Sequence, residues 1–242
     1  MPRFFVEQEE IGLGSMVLTG AQAAHAKVLR LKSGDRVTLC DGQGTDYRCV
    51  ISHVGPDRIG LIVEERVPAS SEAAVTVTVY MAYAKGGKAE HVIQKATELG
   101  AAEIVLFPSA RCVMRMDGKA LEKKLPRWRK IAAAAAEQSG RGRIPAVTAL
   151  PSFASALEMA AGADRALFFY ENEGSRTLSG ALSGPFSSAA LMTGPEGGFE
   201  PEEVLAAQAA GLTVCSLGKR ILRCETAPLC ALSAVMFAAG EF

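Results

Sequence analysis

Net charge is missing from this chain. Its 26 lysines and arginines balance 26 aspartates and glutamates, so overall charge by itself points to no partner. Also missing is any Cys-x-x-Cys pair among Cys40, Cys49, Cys112, Cys215, Cys224 and Cys230. His25, His53 and His91 stand at no ligand-like spacing from them, which argues against a metal site. No apolar span of about 18 residues runs free of polar breaks. The start, Met1-Pro2-Arg3-Phe4-Phe5 followed by Glu7, Glu9 and Glu10, lacks a signal-peptide layout. The expectation is a cytoplasmic protein with reduced thiols and no membrane partner. Two phosphate signatures are absent as well: GxxxxGK[ST] and GxGxxG occur nowhere.

What is present is 242 residues with 49% hydrophobic content, enough for one large domain or two small ones with a full core. Charge is balanced overall but not locally. Between Arg111 and Arg143 ten basic residues face three acidic ones, a pattern that suits phosphate contact or, equally, a solvated helix face.

Before Ser71, short β-branched runs (Arg36–Leu39, Tyr47–Ile51, Ile59–Val63) alternate with Gly, Asp and Pro, which predicts a small β-barrel with one helix over Gly20–Leu31. Pro68-Ala69-Ser70-Ser71-Glu72 marks the boundary, giving domains 1–70 and 71–242. Beyond it strands and helices alternate, the pattern of an α/β domain with a mostly parallel sheet. Strands are predicted at Val75–Met81, Ile104–Phe107, Arg165–Tyr170, Ala189–Thr193 and Thr213–Leu217. Helices are predicted over Ala89–Leu99, Lys119–Gln138 with Pro126 dividing it, Phe153–Ala160, Pro201–Ala210 and Pro228–Ala238. The last is apolar around most of its circumference and needs burial, inside its own domain or against a second copy.

Two glycine-punctuated loops carry the chemistry: Gly194-Pro195-Glu196-Gly197-Gly198-Phe199, and Leu217 to Ala227. Each joins a strand to a helix, where backbone and side chains together hold a small molecule. Glu200-Pro201-Glu202-Glu203 already sets carboxylates at the positive end of a helix, so a phosphate is disfavoured there and a neutral or partly cationic ligand fits better.

These loops, with Arg3-Phe4-Phe5, His25 to Arg30, Lys85 to Lys88 with Glu90, Gln94 to Gly100, and Glu137-Gln138-Ser139 with Arg141, resemble the RsmE family of 16S rRNA uracil-N3 methyltransferases, members of the SPOUT class. Cys224 stands where the family pattern has threonine, and Glu200 where serine is common. The resemblance implies an N-terminal PUA-like barrel that helps grip RNA and a C-terminal α/β domain ending in a trefoil knot. It implies a homodimer that binds S-adenosyl-L-methionine and acts on 16S rRNA in the small ribosomal subunit. Carried over by position, Tyr170, Thr193, Gly194, Glu196, Gly197, Gly198, Leu217, Gly218, Ile221, Leu222 and Thr226 are the expected cofactor-binding residues, with Glu171 beside Tyr170, and Thr226 also caps the last helix.

Uracil N3 is protonated at neutral pH, so its methylation calls for proton removal or stabilisation of the anion. Arg223, Glu225 and Glu196 are the catalytic candidates, the arginine for negative charge and a carboxylate for orienting the base or accepting its proton. Arg223 and Glu225 pairing with each other, with no part in the chemistry, is the competing reading. Arg3, Arg30, Lys32, Arg111, Arg115, Arg141 and Arg143 are the expected phosphate contacts. Two other functions stay open: a SPOUT enzyme acting on a different RNA, and a non-catalytic RNA-binding assembly factor.

Overall fold

The computed structural model describes residues 1–6, 14–171 and 176–242, so Glu7, Glu9 and Glu10 lie outside the described residues. The chain divides into two compact units: Met1–Glu72 with Ala136–Ile144, and Ala73–Ala135 with Pro145–Phe242.

In the first unit, β1 (Arg3–Phe5), β2 (Ser15–Thr19), β3 (Arg36–Cys40), β4 (Thr45–Val54) and β5 (Arg58–Pro68) form one sheet in the order β1-β3-β4-β5-β2. β1 runs parallel to β3 and the other pairs are antiparallel. Alternate residues of these strands, with α1 (Gly20–Val28), enclose a core of Phe4, Leu18, Leu39, Ile51, Ile59 and Leu61, each worth ~1.5–3 kcal/mol on full burial. β1 and β2 were too short to register as alternating runs in the sequence.

The returning segment 136–144 belongs to this unit through a buried ion pair. Arg141, 5% exposed, donates from Nη2 to Glu72 Oε2 at 2.7 Å, and the backbone N–H groups of Gly142 and Arg143 donate to Glu72 Oε1 at 2.8 and 3.1 Å. Glycine is required at 142 because a Cβ there would lie 2.0 Å from that of Ala69.

The second unit is a six-stranded sheet in the order β11-β9-β10-β6-β7-β8, every pairing parallel. Its strands are β6 (Thr76–Ala82), β7 (Glu103–Phe107), β8 (Ala146–Ala149), β9 (Arg165–Phe169), β10 (Ser188–Thr193) and β11 (Thr213–Cys215). Continuous buried runs such as Leu191-Met192-Thr193 suit a sheet covered on both faces. The helices are α2 (Lys88–Glu98), α3 (Gly118–Ser139), α4 (Phe153–Ala160), α5 (Leu178–Ala181), α6 (Pro201–Ala209) and α7 (Ala227–Ala238). β8 and α5, four residues each, had no readable periodicity.

α3 runs through Pro126 and is not divided there. Proline costs a helix interior ~3 kcal/mol, and the buried Trp128, Ala132, Ala135 and Ala136 that follow hold the helix in place. α7 packs on β10 and β6 and against α2. No helix among the described residues is long and apolar enough to cross a membrane.

Candidate active site

The carboxyl ends of β11, β9 and β10, three neighbours in the parallel sheet, open into one cleft of about 410 Å³ in the second unit. Such strand ends are where open α/β sheets hold ligands. β9 delivers Phe169, Tyr170 and Glu171; β10 delivers Thr193 to Phe199; and the segment after β11 delivers Leu217 to Ala227. Lys88 reaches in from the first turn of α2.

Packing fixes the 194–199 loop from below. Phe199, 1% exposed, stacks on Phe168 at 4.2 Å between ring centroids and lies over Gly194. Gly198 has φ +68, a backbone conformation that disfavours any side chain, and a Cβ there would also displace the Glu171 carboxylate. Hydrogen bonds fix the same loop from the sides. Arg111 donates to the Gly197 carbonyl at 3.1 Å and to Glu200 Oε2 at 2.7 Å. Glu200 is the N-cap of α6, Pro201 follows it, and Glu203 accepts from the backbone N–H groups of Glu200 and Ala110 at 2.9 and 3.0 Å.

At the cleft mouth the Lys88 ammonium sits 3.0 Å from Glu196 Oε1 and 3.7 Å from Glu225 Oε2. Burial pushes the Glu196 carboxyl up, but the Lys85 and Glu196 backbone N–H groups and Lys88 outweigh it, and the net shift is down. The Glu225 carboxyl is also held low, first by its own backbone N–H, against burial, with help from the Cys224 thiol, Lys88 and Arg223. The Cys224 thiol is pushed up to about 12 by burial and by Glu225 and Glu196, so it is protonated and inert at neutral pH. Arg223 is exposed on the rim and makes no side-chain hydrogen bond or ion pair within the described residues.

Known proteins resemble this chain over nearly its whole length. A model of an RNA methyltransferase domain matches residues 71–236, and one of an RNA methyltransferase PUA domain matches residues 18–64. Ribosomal RNA small subunit methyltransferase E of Bacillus subtilis (strain 168) is 35% identical across 98% of this chain and 96% of its own. The chain belongs to the ribosomal RNA small subunit methyltransferase E family. The member from Mycobacterium tuberculosis (strain CDC 1551 / Oshkosh) is 36% identical over 90% of this chain and 85% of its own. A solved structure of the member from Neisseria gonorrhoeae, bound to S-adenosyl methionine, is 30% identical, covers 98% of this chain and 97% of that one, and has a TM-score of 0.85.

Against this family background the expected cleft residues fall into two groups. Tyr170, Thr193, Gly194, Glu196, Gly198, Leu217, Gly218, Ile221, Leu222, Arg223 and Glu225 all line the cleft, although the Thr193 hydroxyl is turned to the Tyr80 carbonyl at 3.3 Å. Gly197 and Thr226 lie outside the lining. Gly197 faces Arg111, and Thr226 sits at the N-cap of α7 but makes no side-chain capping bond, so the expected cap is not made.

Among the phosphate-contact candidates, Arg30, Lys32, Arg115 and Arg143 are exposed. Arg141 and Arg3 are corrections. Arg141 is committed to Glu72, and Arg3 makes a two-pronged pair with Asp46 at 2.5 and 2.8 Å with its side chain 14% exposed, so both guanidinium groups serve the fold. Arg111 is a brace for the 194–199 loop. Arg30 takes φ +57 at the end of α1, where its N–H bonds to Lys27 O and that of Leu31 to Ala26 O, a helix stop that glycine usually occupies. Sequence reasoning passed over Lys88 as a site residue. Its signal was present: a lysine in the first turn opposes the helix dipole, so its reason lies outside the helix.

Proposed function

We propose that this protein methylates N3 of a uridine in 16S rRNA of the small ribosomal subunit, using S-adenosyl-L-methionine. The observation that carries the reading is the cleft at the β11, β9 and β10 ends, whose wall sets Glu171, Glu196 and Glu225 among Lys88, Arg220 and Arg223 and whose loops carry neither phosphate signature, in a chain of this family. A wall with both signs suits a ligand that carries a sulfonium and an amino-acid end and no phosphate. Gly194, Gly198, Leu217, Gly218, Ile221 and Leu222 would hold the cofactor, with Tyr170 and Glu171 as a third wall. When bound, it supplies an electrophilic methyl group on a sulfonium.

The chain's own residues then present the base. N3 lies on the Watson–Crick edge, so the uridine enters unpaired or flipped. Arg223, unpaired on the rim, stabilises negative charge on the uracil carbonyls. Glu196 and Glu225, held below the usual carboxylate range, are weak bases, which favours an orienting role for both. Residues 1–70 grip RNA, with Arg30 and Lys32 as phosphate contacts, and Arg115 and Arg143 serve from the part at 71–242. Arg30 keeps a left-handed backbone that costs a non-glycine residue ~1–2 kcal/mol, a cost that fits a working side chain.

Incubating the purified protein and cofactor with small subunits lacking the modification should yield 3-methyluridine by nucleoside mass spectrometry. A different methylated nucleoside would retain the enzyme and discard the N3 assignment; no methylation of subunits or naked 16S rRNA would discard both.

The same reading includes a cytoplasmic homodimer with a C-terminal trefoil knot. From β11 at the sheet edge the chain passes along the cleft before α7 packs on β10 and β6, a course that suits such threading. α7 leaves Cys230 and Phe237 exposed seven residues apart on one face, Phe237 at 71%, and a second copy covering that face explains it. Phe237→Asp should therefore convert a dimeric mass to a monomeric one in light scattering at micromolar protein, and a monomeric unaltered protein would remove the dimer from the reading.

A further inference from the structure

We propose that Lys88 is a positioning residue for this reaction: its ammonium joins Glu196 of one ligand loop to Glu225 of the other and sets the spacing between two walls of the cleft. The inference rests on the methyltransferase reading for what the cleft binds, but not for the tie itself.

Lys88 is well placed to hold a fixed point. Its helix is anchored by the buried Ala89, Val92, Ile93 and Ala96, and Gly87 with φ +77 turns the chain into it. The 85–88 segment holds the 194–199 loop twice, since Glu196 Oε1 accepts from the Lys85 backbone N–H and from Lys88 Nζ, each at 3.0 Å. The same Nζ lies 3.7 Å from Glu225 Oε2 and 3.8 Å from Cys224 Sγ, and the Cys224 thiol donates to Glu225 Oε2 at 3.3 Å. All three charged side chains are about one quarter exposed, at 26%, 24% and 25%, so water reaches the group from the cleft side only in part. Glu171, Arg220, Arg223 and Tyr170 complete the polar lining of the cleft.

Removing the ammonium leaves two carboxylates on separate loops with no cation between them. They repel, the loops move apart, and Cys224, now 7% exposed, becomes accessible. Protonating one carboxylate relieves the repulsion. Lowering the pH therefore restores a protein that has lost Lys88, which a general loss of packing in α2 would not permit.

The test compares the full-length protein with Lys88→Met and Lys88→Arg. Calorimetric titration with S-adenosylmethionine should show the Met variant binding roughly tenfold more weakly than the unaltered protein at about pH 8, the ratio shrinking toward about pH 5, and Arg restoring most of the affinity. In the ligand-free proteins at about pH 8, backbone amides of the 194–199 and 221–225 segments should exchange hydrogen several-fold faster in the Met variant, read by mass spectrometry with the buried strand β7 as internal control. A binding ratio of one throughout overturns the proposal, as does a deficit that neither pH nor arginine changes. If the unaltered protein takes up no cofactor, the methyltransferase reading fails on its own, and the hydrogen-exchange rate of the two loops decides the tie: faster in the Met variant supports it, unchanged overturns it.

Discussion

Replacing Arg223 with alanine is expected to lower the methylation rate by about 10²–10³-fold, the size of effect seen when one preorganised group that meets developing charge is removed, while cofactor affinity stays near that of the unaltered protein. Three observations set this split. Arg223 lies on the cleft rim, is exposed, and has no hydrogen bond or ion pair within the described residues, so its removal breaks no contact that shapes the ligand loops. Glu225, the residue it was set against in the sequence, lies within 3.7 Å of Lys88, and Arg223 acts on it through its charge without an ion-pair contact among the described residues. The Glu196 and Glu225 carboxyls are held low, which leaves charge stabilisation, not proton acceptance, as the larger contribution available to this rim. Single-turnover rates at saturating cofactor, set beside calorimetric cofactor affinity, check the split. Equal losses in rate and affinity, or no loss in either, would remove Arg223 from the chemistry. Arg223→Lys should recover only part of the rate, because a point charge does not reproduce a planar fork facing two carbonyl oxygens.

The site was largely legible in the sequence because its parts are short loops with fixed offsets. Gly194 to Phe199 and Leu217 to Glu225 each follow a β-branched or apolar run, and chain order alone places both at strand ends of a parallel sheet. What stayed hidden depended on contacts far apart in sequence. Nothing local ties Lys88 to Glu196 and Glu225, or Arg111 to Gly197 and Glu200. For the same reason Arg111, Arg141 and Arg3 were read as open cations: a guanidinium written in a sequence looks alike whether it meets solvent or a carboxylate. Five of the six strands of the second unit were read to within two residues, since strands buried on both faces appear as continuous apolar runs, and only β8 was missed. Pro126 misled because its cost is local and visible, whereas the burial of Trp128 and Ala132 that offsets it is tertiary.

Glu72→Ala should cost about 3–5 kcal/mol, the usual result of leaving one member of a buried ion pair alone, or roughly 10 °C in the melting temperature of the full chain by calorimetry. Arg141 is 5% exposed, and without Glu72 its guanidinium stays buried and loses the carboxylate 2.7 Å away, while the Gly142 and Arg143 N–H groups lose their acceptor. The effect also has a direction in pH. Burial raises the Glu72 carboxyl, but Arg141 and the two backbone N–H groups outweigh it, and the folded protein holds it below its ordinary value. A carboxyl depressed on folding contributes stability that is complete above the ordinary carboxylate range and is lost as pH falls through the folded value, because the unfolded chain then binds the extra proton. The gap in melting temperature between the unaltered protein and Glu72→Gln should therefore be widest near neutrality and narrow as pH drops below about 4. A gap independent of pH would mean that shape and hydrogen bonding, and not charge, bind residues 136–144 into the first unit. Replacing both partners, as in Glu72→Leu with Arg141→Met, should recover much of the loss, since two buried charges give way to apolar contact. The close fit of Gly142 on Ala69 limits that recovery to changes that leave the backbone where it is.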